Sequence, residues 1–172
     1  MQAASAGNIG LVQVTLRIGA DISMQADDGS TALHCAVKTN QFDMIKLLLR
    51  CGAPLEVQNL NGRTPLHEAI LNSNEKIFNT LLRHGANLTH SGLDDIIKNG
   101  FVSLLQHTLN HLGGSFVRLQ GRHVLRATTY MEQASLLRAF LSHPTVDRKW
   151  ITQNGDEALY AMISHGRVSS FR

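Results

Sequence analysis

The residues of this 172-residue chain with the most chemical capacity are its nine histidines and two cysteines. His107 and His111 stand four apart, which on a helix turns both imidazoles to one face, the beginning of a zinc site. A third ligand at a known spacing is missing, and no glutamate follows His107 as in a zinc-protease helix. No metal is therefore expected. Cys35 directly follows His34. A thiol and its base must face each other, whereas neighbours on a helix point apart, so the pair is not a nucleophilic dyad. Gly113-Gly114 lacks the Gly-Lys-Ser/Thr of a phosphate cradle and reads as a loop. No Gly-x-Ser-x-Gly elbow is present. Asp94-Asp95 falls at a predicted helix start, where carboxylates complement the helix dipole. Arg118, Arg122 and Arg126 have helical spacing, but Gly121 between them matches a turn glycine, so the three are not expected to share a helix. No catalytic constellation emerges. The chain is expected not to be an enzyme and to need no cofactor.

The elements that would position such residues show themselves as a repeat. Displaced by 33 residues, the sequence meets itself: Gly29 falls on Gly62, Thr31 on Thr64, Leu33 on Leu66, His34 on His67 and Ala36 on Ala69. Leu48-Leu49-Arg50 falls on Leu81-Leu82-Arg83, and Gly52-Ala53 on Gly85-Ala86. Eleven of the 28 positions in 28–55 are identical, far above chance. Within the unit, Thr64 is a helix cap and Pro65 suits the first helical position. Leu66, Ala69 and Ile70 form one apolar face. Asn72 to Asn74 breaks the run. Ile77, Phe78, Leu81 and Leu82 line a second helix, which Gly85 ends. A projecting hairpin leads to the next unit. One unit cannot bury its apolar faces alone, so units must stack. Leu11, Met44 and Ile77 share a column, as do Val12, Ile45 and Phe78, and Leu16, Leu49 and Leu82. Ala36 and Ala69 permit close approach of the first helices. Cys35 and Cys51 fall at different ends of a unit, so no disulfide is expected between them.

The octets Gly29-Ser30-Thr31-Ala32-Leu33-His34-Cys35-Ala36 and Gly62-Arg63-Thr64-Pro65-Leu66-His67-Glu68-Ala69 resemble the signature of the ankyrin repeat. Leu47 to Ala53 and Leu81 to Ala86 resemble its closing motif. The resemblance implies an all-α solenoid of stacked helix-turn-helix units with projecting β-hairpin loops. It also implies that His34 and His67 bridge the capping threonine and nearby turn backbone, a structural role. Residues 1–172 are read as one array: a truncated unit at 1–27, two full units at 28–60 and 61–92, a short unit at 93–118, a degenerate one at 119–152 and an incomplete one at 153–172. The first unit begins near the end of a helix at Ala3–Asn8, followed by a second helix from Ile9 to Arg17. In the fourth, Leu93, Ile96, Ile97, Gly100, Leu104, Leu105 and Leu109 keep the spacing. In the fifth, Gly121, Leu125, Ala127, Leu136, Leu137, Phe140 and Leu141 fit. The sixth opens at Gly155. Met162 and Ile163 would then sit at an uncovered end, where arrays normally carry a polar cap, so the chain is expected to be a stretch of a longer protein.

Composition narrows the class. With 43% hydrophobic and 17% charged residues the chain is too apolar to be disordered. No apolar run is long enough to span a membrane, and Met1 to Gly10 lacks the features of a signal peptide. An intracellular location, cytoplasmic or nuclear, is the default expectation. Residues 1–86 are neutral and residues 87–172 carry a net +3. The excess lies in 118–149, below the density of a nucleic-acid stripe, so nucleic acid is not an expected partner. The resemblance implies a module that binds a partner protein through hairpin tips and a concave helix face; it is expected to be non-enzymatic and monomeric. The alternative is a regulatory segment of a larger enzyme or effector. The unit geometry nominates Asp27, Asp28, Ser30, Lys38 and Thr39 in the second unit as contacts. It nominates Leu60, Asn61, Arg63, Leu71 and Asn72 in the third, and Arg122, Tyr130 and Met131 in the fifth. Leu60, Leu71, Tyr130 and Met131 are the expected apolar or aromatic anchors.

Overall fold

The structure, a computed structural model, describes the backbone of residues 2–131 and 133–164, with the side chains of all of these but 2, 5, 129 and 157–164. The chain divides into two compact units, Met1–Gly92 and Leu93–Arg172.

The first unit is built from short helices in pairs: α1 (Gln2–Ser5) with α2 (Ile9–Arg17), α3 (Ala32–Lys38) with α4 (Phe42–Arg50), and α5 (Pro65–Leu71) with α6 (Glu75–Arg83). Helices this short are marginal alone in water, so caps and packing must hold them. The Thr31 hydroxyl accepts the His34 N–H and the Thr64 hydroxyl the His67 N–H, with Pro65 at the first turn. Asn8 and Asn74 cap α2 and α6 in the same way. The second helix starts only after a reversal at Asn40 or Ser73, both at positive φ. Asn74 Nδ2 donates to Asn40 Oδ1 at 3.0 Å and Asn72 Nδ2 to the Val37 carbonyl at 3.3 Å. These bonds tie one reversal to the next.

The columns then become the core. Val12, Ile45 and Phe78 are buried, as are Met44 and Ile77, and Ala36 and Ala69 have no exposed surface. Each large apolar side chain so buried stabilises by roughly 1.5–3 kcal/mol relative to exposure. Two columns depart from expectation. Leu11 is 49% exposed, the end of its column. Leu16 and Leu49 are only half-buried, while Leu82, the third member of their column, is buried; Leu48, one position before Leu49, is fully buried in its stead. The projecting loops are turns, with a single isolated antiparallel bridge, Gln25 to Thr31, among the described residues.

Helix α7 (His90–Lys98) is followed by α8 (Val102–Tyr130), α9 (Ala134–Leu141) and α10 (Arg148–Ser164). Of the residues named from spacing, Leu93, Ile96, Ile97, Leu104, Leu105 and Leu109, and Leu125, Leu136, Leu137 and Phe140 are buried here, whereas Ala127 and Leu141 are only half-buried. The second unit nevertheless corrects several expectations. α8 breaks once, at Gly113, where φ 55 and ψ −139 leave the helical range. From 114 to 130 the chain is one helix, so Gly121 is not a turn glycine and Arg118, Arg122 and Arg126 do share a helix. Gly121 is there for closeness: a Cβ on it would lie 2.5 Å from Cζ2 of Trp150. Trp150 in turn meets Phe140 edge-on, with ring centroids 5.6 Å apart. Gly155 lies inside α10, whose start is capped by Asp147 accepting the Trp150 N–H at 2.7 Å. Asp94-Asp95 sits in the middle of α7 rather than at its start, with Asp94 Oδ1 2.7 Å from His123 Nε2. The expected exposure of Met162 and Ile163 falls outside the described side chains.

Candidate functional site

The nominated surface of the first unit is centred on two tip loops. In the earlier one, Asp28 accepts the Ser30 N–H and the Ser30 hydroxyl, both at 2.9 Å, and the Gly29 N–H donates to the Ala26 carbonyl at 2.8 Å. In the later one, Asn59 Oδ1 accepts the N–H groups of Asn61 at 3.0 Å and Arg63 at 3.1 Å. Aspartate and asparagine suit this task because their short side chains mimic a turn of backbone. The loops are then tied together. The Leu60 N–H donates to the Asp28 carbonyl at 3.0 Å, and Gln25 Nε2 donates to Gly29 O at 2.6 Å and Gln58 O at 3.2 Å. Gly29 has φ +74, and a Cβ there would lie 2.9 Å from the Leu60 nitrogen. Glycine thus permits both the turn and the close approach.

His34 adds a second tie. Its Nδ1 accepts the Thr31 N–H at 3.1 Å, so in the neutral ring Nε2 carries the proton and donates to the Arg63 carbonyl at 2.9 Å. Burial pushes the His34 pKa down, against the raising effect of the Arg63 carbonyl. This is the structural role that the repeat signature implies, extended across two loops. Beneath the tips, Lys38 Nζ donates to Ser30 Oγ at 3.2 Å and lies 3.6 Å from Asp28 Oδ2 and 3.7 Å from Glu68 Oε1. Glu68, almost fully buried, also accepts from Asn59 Nδ2 at 3.0 Å. The Ser30 N–H and hydroxyl hold the Asp28 carboxyl below the usual carboxylate range. Burial pushes the Cys35 thiol up, which disfavours a thiolate nucleophile.

The nominated residues therefore divide. Asp27, Asp28, Lys38, Thr39, Asn61 and Asn72 are exposed, and Leu60 at 79% is the most exposed apolar side chain of the tips. Ser30 is not available: it is 1% exposed and its hydroxyl serves Asp28. Arg63 is half-buried with its carbonyl occupied by His34, and Leu71, expected to be exposed, is half-buried. In the second unit Arg122, Tyr130 and Met131 are exposed. They belong to a long helix and the turn after it, not to a tip. Sequence reasoning missed Asn59, which accepts two N–H groups of the second tip, and Glu68, which accepts from Asn59 Nδ2. The Asx-turn spacing of Asn59 to Asn61 was the signal that could have found the first of these. Met24, 62% exposed, was also missed.

Among the described residues no group of three His, Cys, Asp or Glu side chains lies close enough to hold a metal, and both cysteines are free thiols. No described helix is long and apolar enough to cross a membrane. A search of curated proteins found no match to the chain. A family model describing ankyrin repeats in three copies matches residues 1–91. That match covers the three helix pairs and both tip loops and stops where the first unit stops. On the octets, the helix pairs stacked at 33-residue intervals and this match, the chain belongs to the ankyrin-repeat family.

Proposed function

We propose that the first unit binds a partner protein through its tip loops and the neighbouring ends of its first helices. Ankyrin repeats are generally protein–protein interaction modules and typically not catalytic; the site on this chain is our own inference. One observation carries it. Leu60, a large apolar side chain, is held 79% exposed at the crest of a loop whose backbone is bonded to the neighbouring loop. A pre-organised exposed anchor loses little entropy on binding. Asp27 and Asn61 beside it are exposed and supply a polar rim.

The test is proximity labelling in source cells with the wild-type chain and with Leu60→Asp and Asn61→Lys variants. The expected result is that the proteins enriched by the wild type are lost from both variants while thermal unfolding of the variants is unchanged. Full retention of every enriched protein by both variants overturns this surface.

A further inference from the structure

We propose that the helix formed by residues 114–130 is a docking face for an acidic amphipathic helix of a partner protein. Arg118, Arg122 and Arg126 stand four residues apart on this one helix. Their Cα atoms rise about 6 Å from one to the next, all on one face. All three are exposed, and no acidic residue occurs from Ser115 to Met131. Arg118 and Arg126 have no ion-pair or hydrogen-bond partner among the described residues. Arg122 donates from Nε to Asn154 Oδ1 at 2.6 Å, which steadies its guanidinium and leaves the two terminal nitrogens to a carboxylate. Leu119 at 81% and Tyr130 at 63% exposure complete the face, spaced three, seven and eleven from Leu119 through Arg122 and Arg126 to Tyr130. Opposite it, Gly121 seats the helix against Trp150.

The chemistry of this face selects a helix. Guanidinium groups pair with carboxylates in a two-pronged geometry. A second α-helix has the same rise per residue, so glutamates four apart meet the arginines at a matching interval. Leu119 needs an apolar partner. An amphipathic helix offers one, and a phosphate backbone does not.

The experiment uses the full chain and four labelled probes. The first is a helical peptide of about 20 residues with glutamates at i, i+4 and i+8 beside leucines. The second has the same composition with the glutamates distributed around the helix. The third is a single-stranded oligonucleotide. The first probe is expected to bind at least about tenfold more tightly than the second or the third. The Arg118→Glu/Arg126→Glu double variant, with unchanged thermal unfolding, is expected to lose that advantage. The fourth probe, a peptide with lysines in place of the three glutamates, is expected to bind the double variant better than it binds the wild type. Equal affinity for the two acidic peptides, retained binding by the double variant, or tighter binding of the oligonucleotide overturns the proposal. Failure here leaves the tip surface untouched, because Leu60 and Asn61 are in the other unit.

Discussion

The glycines that fall on the turn column of the repeat serve opposite ends in the two units, although Gly100 and Gly113 of the second unit also turn the chain at positive φ. In the first, Gly29 and Gly62 turn the chain at φ +74 and +71 and make tip loops possible. In the second, Gly121 stays helical and leaves room for an indole. One residue type therefore produces a short helix pair with a projecting loop in one unit and an uninterrupted helix in the other. Two histidines from different repeat positions also differ in what they join. His34 is buried and joins two loops through the Arg63 carbonyl, whereas His123 bridges helices through Asp94. A spacing match to a repeat column reports only that something small stood there. It does not report which constraint now acts.

The largest effect that would sharpen this contrast is in the cores. Phe78→Ala and Phe140→Ala, both at sites with no exposed surface, should each cost about 3–5 kcal/mol. Hydrogen exchange should locate the loss in the residues around each site. Loss of less than about 1 kcal/mol at Phe140 would show that the second unit lacks the packed core described here. Next, Gly121→Ala should cost about 1–3 kcal/mol by overpacking against Trp150, with a shift in Trp150 fluorescence. Gly29→Ala should cost about 1–2 kcal/mol for the left-handed conformation alone, and should loosen the Leu60 amide in hydrogen exchange without altering Trp150. If Gly121→Ala left the fluorescence unchanged, the two glycines would not differ as argued.

A smaller effect is the pH dependence from His34. Its folded pKa lies below the unfolded value of 6.5, so the unfolded chain binds more protons as the solution is acidified. The contribution is therefore present above pH 6.5 and is lost as pH falls below it. Chemical denaturation of the wild type at pH 7.5 and 5.5 should show a stability loss larger than that of His34→Gln. Equal losses would remove the buried neutral imidazole from the account. Smallest of all, Leu60→Ser should change stability by no more than about 0.5 kcal/mol, since that side chain is exposed. A larger loss, measured by thermal unfolding, would mean that Leu60 is part of the fold and not free for a partner.

Much of the first unit was legible because its signals are local. Thr31, Thr64 and Pro65 each act within one turn of helix, and a 33-residue period repeats the same local solution. The tip site was only partly legible. Leu60 and Asn61 follow from their position in the loop, but Ser30 and Arg63 are drawn inward by partners 2 to 29 residues away. The second unit was legible in its core positions and not in its connections. The buried leucines and isoleucines from Leu93 to Leu109 follow from helical spacing alone. Gly121 continues its helix and seats Trp150, 29 residues on, and no local pattern announces that contact.

Sequence alone determined the repeat, its period, its caps and its apolar columns, because each is set by backbone preferences and by burial demands within a few residues. Tertiary structure decided three further things. It decided which glycines bend the chain, which tip residues remain free, and that Arg118, Arg122 and Arg126 form one face. Those outcomes depend on which side chains from distant elements fill the space beside them, and packing of that kind is settled only when the whole unit closes.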